Sequence, residues 1–69
     1  MHFYEALKFV LNTSQGKIKR LNWNDDSFLK REISDGKVII NMNNKNGSYL
    51  YHPTNDDLTA NDWMIVKEE

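Results

Sequence analysis

Gly16-Lys17-Ile18-Lys19-Arg20-Leu21-Asn22-Trp23 is the stretch on which the rest of the chain turns. It reads as a short basic strand that ends in a tryptophan. Lys17 and Lys19 share one face with Leu21 and Trp23, while Arg20 points to the other. An indole offers a flat surface for stacking a nucleobase, and ammonium and guanidinium groups complement phosphate. The same pattern equally describes a core tryptophan flanked by solvated lysines.

Before this strand, residues 2 to 12 read as a helix. Phe3, Ala6, Leu7, Val10 and Leu11 fall on one stripe at helical spacing, and Glu5, Lys8 and Asn12 lie on the polar side. Phe9 falls opposite the stripe, as an exposed ring or one covered by a neighbouring subunit. Gly16 suits the turn between helix and strand.

After it, Asn24-Asp25-Asp26 reads as a turn, and Ser27 to Ile33 as a strand whose Lys30, Arg31 and Glu32 suggest an edge. Asp35-Gly36 between β-type runs predicts a two-residue hairpin. Lys37 to Asn43 follows, with Val38, Ile40 and Met42 expected in the core. Asn43 to Gly47 is a second hairpin turn, and Ser48 to His52 returns with Tyr49 and Tyr51 on one face. Pro53 ends that strand. Thr54 with Asp57 three residues on resembles a capping box for a helical turn over residues 56 to 60. Trp63 to Lys67 is the last strand. The expected fold is α+β, residues 1 to 69 forming one domain. One N-terminal helix packs on a small twisted antiparallel sheet of four to five strands, arranged as a meander.

Composition limits the function. A chain of 69 residues has a marginal core, and without cysteine it lacks disulfides and thiolate metal sites, so oligomerisation is the remaining staple. A net charge of −1 argues against general DNA binding but leaves room for a small anion in a local basic pocket. No apolar run approaches a membrane span and no secretory signal is recognisable, which fits the cytoplasm. The sequence shows no nucleophile with an evident base, no phosphate-binding glycine loop and no metal-ligand spacing around His2 and His52, so neither catalysis nor a cofactor is indicated. Besides the basic strand, Asp62-Trp63 places a carboxylate beside an aromatic. Asp62 suits ribose hydroxyls, an ion pair with Arg20 across the sheet, or a turn cap. Tyr49 and Tyr51 suit an interface or the core.

Three ordered stretches resemble a known family. Phe3-Tyr4-Glu5-Ala6-Leu7 looks like its F-x-E-A-L helix. Gly16 to Trp23 is similar to its G-K-x-(I/V)-x-R-x-x-W stretch, and Thr54 to Val66 to its closing D-(L/M)-x-A-x-D-W-x-(I/V). This is the phage family of Thoeris anti-defence proteins of the second type, whose members sequester cyclic nucleotide immune signals. The resemblance implies a non-enzymatic binding protein that forms dimers or tetramers with pockets between subunits. Its ligands would be cyclic ADP-ribose variants or cyclic dinucleotides. Trp23 would stack base or ribose, Arg20 would contact phosphate or pair with Asp62, and Asp62 and Trp63 would close the same region. Lys17 and Lys19 join the candidates on charge, and Tyr49 and Tyr51 as amphipathic aromatics. Many members carry a longer insertion after the R-x-x-W stretch, where this chain has only Asn24 to Asp35. That shortened segment leaves a second class open, a protein-binding inhibitor of a host defence enzyme.

Overall fold

The computed structural model describes residues 1–66, in the order α1 (Phe3–Asn12), β1 (Lys17–Arg20), β2 (Phe28–Ser34), β3 (Lys37–Asn44), β4 (Gly47–Leu50), α2 (Asn55–Thr59) and β5 (Trp63–Ile65). Lys67, expected to end the last strand, lies outside the described residues. The five strands form one open antiparallel sheet in the order β4-β3-β2-β1-β5, with α1 packed on one face.

The helical stripe meets the sheet through Phe3, Ala6 and Val10, which are buried with Ile18, Leu29 and Trp63. Directly paired residues share a face. The pairs Ile18↔Leu29, Ile18↔Ile65, Arg20↔Trp63 and Leu29↔Met42 therefore define the helix-covered face. Lys17, Lys19, Phe28, Lys30 and Met64 belong to the open face. The backbone N–H of His2 donates to Glu5 Oε1 at 3.1 Å, satisfying one unpaired donor at the helix start. Phe9, which fell off the stripe, is half-buried over Gly16. A Cβ at Gly16 would come within 2.9 Å of its ring, so glycine here allows the close approach, and the helix–strand connection covers this side chain.

The two hairpins use different turn chemistry. Asp35 and Gly36 both have positive φ, 51° and 75°, as a two-residue type I′ turn requires. In the Lys45-Asn46 loop positive φ falls instead on Gly47, and the Asn46 N–H donates to Asn44 Oδ1 at 2.8 Å.

Four expectations need correction. β2 is the central strand, not an edge, because it pairs with β1 on one side and β3 on the other; β5 pairs with β1, so the edges are β4 and β5. Its charges are tolerated there: Lys30 lies on the uncovered face, and Arg31 reaches over the helix-covered face to donate to the Leu11 carbonyl at 3.0 Å. The strand order is thus a four-strand meander closed by β5 on the far side, not a simple meander. Val38 is exposed, since α1 packs on β1, β2 and β5 and not on β3, while Ile40 and Met42 do pack against the core. Finally, β1 stops at Arg20. The Trp23 N–H donates to the Arg20 carbonyl at 3.1 Å, so Leu21 and Asn22 form a turn and Trp23 lies beyond the strand. Its ring lies against Trp63, the cross-strand partner of Arg20, and not on the face of Lys17 and Lys19 that the strand alternation predicts.

Candidate functional site

Most of the candidate residues converge at the end of the sheet where β1 meets β5. Arg20 and Trp63 face each other across these strands on the helix-covered face, with the guanidinium carbon 5.9 Å from the indole centroid. Trp63 is only 2% exposed. Its ring lies 5.2 Å from Phe3, and its indole N–H donates to the Asp57 carbonyl at 2.9 Å. It forms the floor of this region. Trp23, half-buried, stands edge-on against it with centroids 5.4 Å apart and planes at 77°. That geometry is a favourable aromatic pairing, and it joins the β1–β2 loop to the core.

Arg20 carries the electrostatics. Its Nε donates to Asp62 Oδ1 at 2.6 Å and its Nη2 to Asp62 Oδ2 at 3.4 Å, while Nη1 donates to Asp57 Oδ1 at 3.1 Å. Three of the five guanidinium N–H groups are thereby engaged. One guanidinium faces two carboxylates, and the Met1 ammonium, which donates to the Asn61 and Trp63 carbonyls, adds a second positive charge beside Asp62. The bond to Asp62 raises Arg20 above its usual range, against the opposing effect of burial, with Asp57 adding to it. The same bond is the main cause holding Asp62 below the usual carboxylate range.

Asp57 is the residue that sequence reasoning missed as a site member. It was legible only as half of a capping box, and that box is present: its N–H donates to Thr54 Oγ1 at 3.2 Å and its Oδ2 accepts from the Thr54 N–H at 3.3 Å. The same carboxylate also accepts from the Tyr51 hydroxyl at 2.6 Å and from Arg20. At 8% exposure, burial alone would push Asp57 up, but the bonds from Tyr51, Thr54 and Arg20 outweigh it and hold the group low. Burial, then the bond to Asp57, pushes the Tyr51 hydroxyl well above its ordinary range. Asp57 thus ties together β1, the end of β4, α2 and β5.

The remaining candidates separate. Lys19 lies on the open face and is 6% exposed, with its ammonium turned into the β1–β2 loop. It donates to the Trp23 carbonyl at 2.8 Å and to Asp25 Oδ1 at 3.0 Å. Lys17, also on the open face, places its ammonium 4.6 Å from the Phe28 centroid. Tyr49 and Tyr51 share the helix-covered face, as expected. Tyr51 reaches the Asp57 cluster, whereas Tyr49 is exposed near the other edge. Arg20, Trp23, Tyr51, Asp62 and Trp63 are therefore brought together, and Lys17 and Tyr49 stand apart.

The class so defined is a small α+β protein, one helix over an open antiparallel sheet, with an arginine–carboxylate cluster and two indoles packed edge to face at one end. Residues 1–66 match the Tad2-like, or Thoeris anti-defense 2-like, domain, and the chain belongs to this family of phage anti-defence proteins. No curated protein matches the chain.

Proposed function

We propose that this protein binds a cyclic nucleotide immune signal, a cyclic ADP-ribose variant or a cyclic dinucleotide, and sequesters it in the host cytoplasm without cleaving it. The observation that carries the reading is the juxtaposition of Trp23, Arg20 and Asp62 around the Trp63 floor in a chain of this family. Trp23 supplies a stacking surface. Asp62, part-exposed, supplies acceptors for ribose hydroxyls. The N–H groups that Arg20 does not spend on its carboxylates supply donors for phosphate. Because Arg20 is shared between two carboxylates, part of the charge that balances a phosphate comes from elsewhere. A pocket shared between subunits of a dimer or tetramer meets that need, and pairing of subunits also covers apolar side chains that one chain leaves exposed, among them Ile33, Val38, Tyr49 and Leu50.

Isothermal titration with glycocyclic ADP-ribose and with cyclic dinucleotides tests the reading. Heat of binding is expected for one of them, with the ligand recovered intact after denaturation. Light scattering at micromolar concentration is expected to give a multiple of the chain mass, and a monomer would count against the shared pocket.

A second reading is favoured by one observation. The edge strand β4 is exposed along its length, with Tyr49 and Leu50 on opposite faces. Such an edge can accept a strand from another protein. A protein-binding inhibitor of a host enzyme would use it, and would lose its partner on Tyr49→Ala while keeping it on Trp23→Ala.

A further inference from the structure

Lys19 needs an explanation that a ligand contact does not give. It was a candidate on charge alone, yet its side chain is nearly covered and its ammonium points inward, onto the loop that carries Trp23. Taking an ammonium out of water is costly, and an apolar side chain of the same length would fill the space beside its cross-strand partner Met64 at lower cost. The charge has one strong partner of fixed geometry, the main-chain carbonyl of Trp23 at 2.8 Å. Its second partner, the Asp25 carboxylate at 3.0 Å, is otherwise fully exposed to solvent. An ion pair with one member in water is weak. The carbonyl bond therefore dominates, and it acts on the peptide that sets where the indole sits. The Leu21 N–H to Asp62 carbonyl bond, at 3.2 Å, and the Trp23 N–H to Arg20 carbonyl bond, at 3.1 Å, close the turn from the other side.

We propose that Lys19 is a positioning residue. Its buried ammonium clamps the Trp23 carbonyl and so holds the Trp23 indole edge-on against Trp63, in the orientation in which the site meets a flat ligand. The proposal rests on Trp23 being the stacking group of the proposed function. It assigns Lys19 no contact with the ligand.

The test uses the full chain labelled with 5-fluorotryptophan and read by fluorine NMR. The signal missing from Trp23→Phe belongs to Trp23, and the other, from Trp63, reports on the fold. Lys19→Met keeps the stem and removes the charge. It strands no carboxylate, because Asp25 is already hydrated on its outer side. Lys19→Met is expected to shift and broaden the Trp23 signal and to leave the Trp63 signal dispersed. Asp25→Asn, which spares the carbonyl bond, is expected to leave both signals close to wild type. Titration with glycocyclic ADP-ribose is expected to weaken roughly tenfold in Lys19→Met and less than twofold in Asp25→Asn. An unchanged Trp23 signal in Lys19→Met would overturn the inference. So would collapse of the Trp63 signal, which would make Lys19 a residue of the fold. Tenfold weakening with an unmoved Trp23 would turn Lys19 into a direct ligand contact. Displacement of Trp23 in a protein that binds no cyclic nucleotide would uphold the clamp and end the sequestration reading.

Discussion

The two ends of the sheet are built by different means. At the β1–β5 end, Trp63 is buried under α1, and Arg20 of β1, Asp57 of α2, the cap residue Thr54 and the loop residues Tyr51 and Asp62 form a connected set of hydrogen bonds. At the opposite end, the β2–β3 hairpin carries Ile33 and Val38 face to face, 70% and 54% exposed, and is held by main-chain pairing and one tight turn. Polar side chains are ordered where burial makes their bonds valuable, and apolar side chains stand in water where no helix covers them. The first end is built to hold side chains in fixed positions, and the second offers surface.

Substitutions test this contrast. Trp63→Ala removes the floor of the first end and is expected to cost about 3–5 kcal/mol, enough to unfold most of a domain this small. Thermal melting followed by circular dichroism checks it. A cost near 1 kcal/mol would mean that the two ends are equivalent.

Asp57→Ala should come next. It leaves the Tyr51 hydroxyl and one arm of Arg20 without their partner and breaks the cap of α2, with an expected loss of about 2–4 kcal/mol in urea denaturation. Tyr51→Phe in the same background should then add little, because the bond it removes is already gone.

Acid probes the same network. Asp57 and Asp62 both titrate below their ordinary 3.8 in the folded chain. Between the folded and unfolded values the unfolded chain binds more protons, so stability is full above about pH 5 and falls as pH drops below about 4. The slope of stability against pH in that window should flatten in Asp57→Asn.

The hairpin end should respond weakly. Gly36→Ala forces a Cβ onto a residue at φ 75° and should cost about 1 kcal/mol. Val38→Ala should cost less than about 0.5 kcal/mol if that face stays in water. A larger loss, rising with protein concentration, would place Val38 beneath a neighbouring subunit.

The contrast also marks what could be read in advance. The helical stripe, the Asp35-Gly36 turn and the Thr54–Asp57 cap are local signals, each set by a few adjacent residues, and each is present, except that Leu11, expected on the buried stripe, is exposed at the end of the helix. The central place of β2 and the return of β5 to β1 depend on Ile18 meeting Ile65, a pairing between distant residues that charge on a strand cannot announce. At the site, the alternation of Lys19 and Arg20 and the pairing of Arg20 with Asp62 were open to a face argument. The reach of Asp57 was not, because one carboxylate serves a helix cap, a tyrosine from the end of β4 and an arginine from β1 together. Trp23 was placed on the strand because its residue type continues the strand pattern. The turn at Leu21 and Asn22 lifts it off and brings its ring edge-on to Trp63.

Titration calorimetry of the wild-type chain and Trp23→Ala with glycocyclic ADP-ribose and cyclic dinucleotides decides whether the β1–β5 end holds a nucleotide. Folded wild type is expected to bind one of these compounds saturably, with binding lost or weakened at least tenfold in Trp23→Ala and the ligand recovered intact. A folded wild-type protein that gives no heat with any of them, or equal binding by Trp23→Ala, would contradict nucleotide binding there.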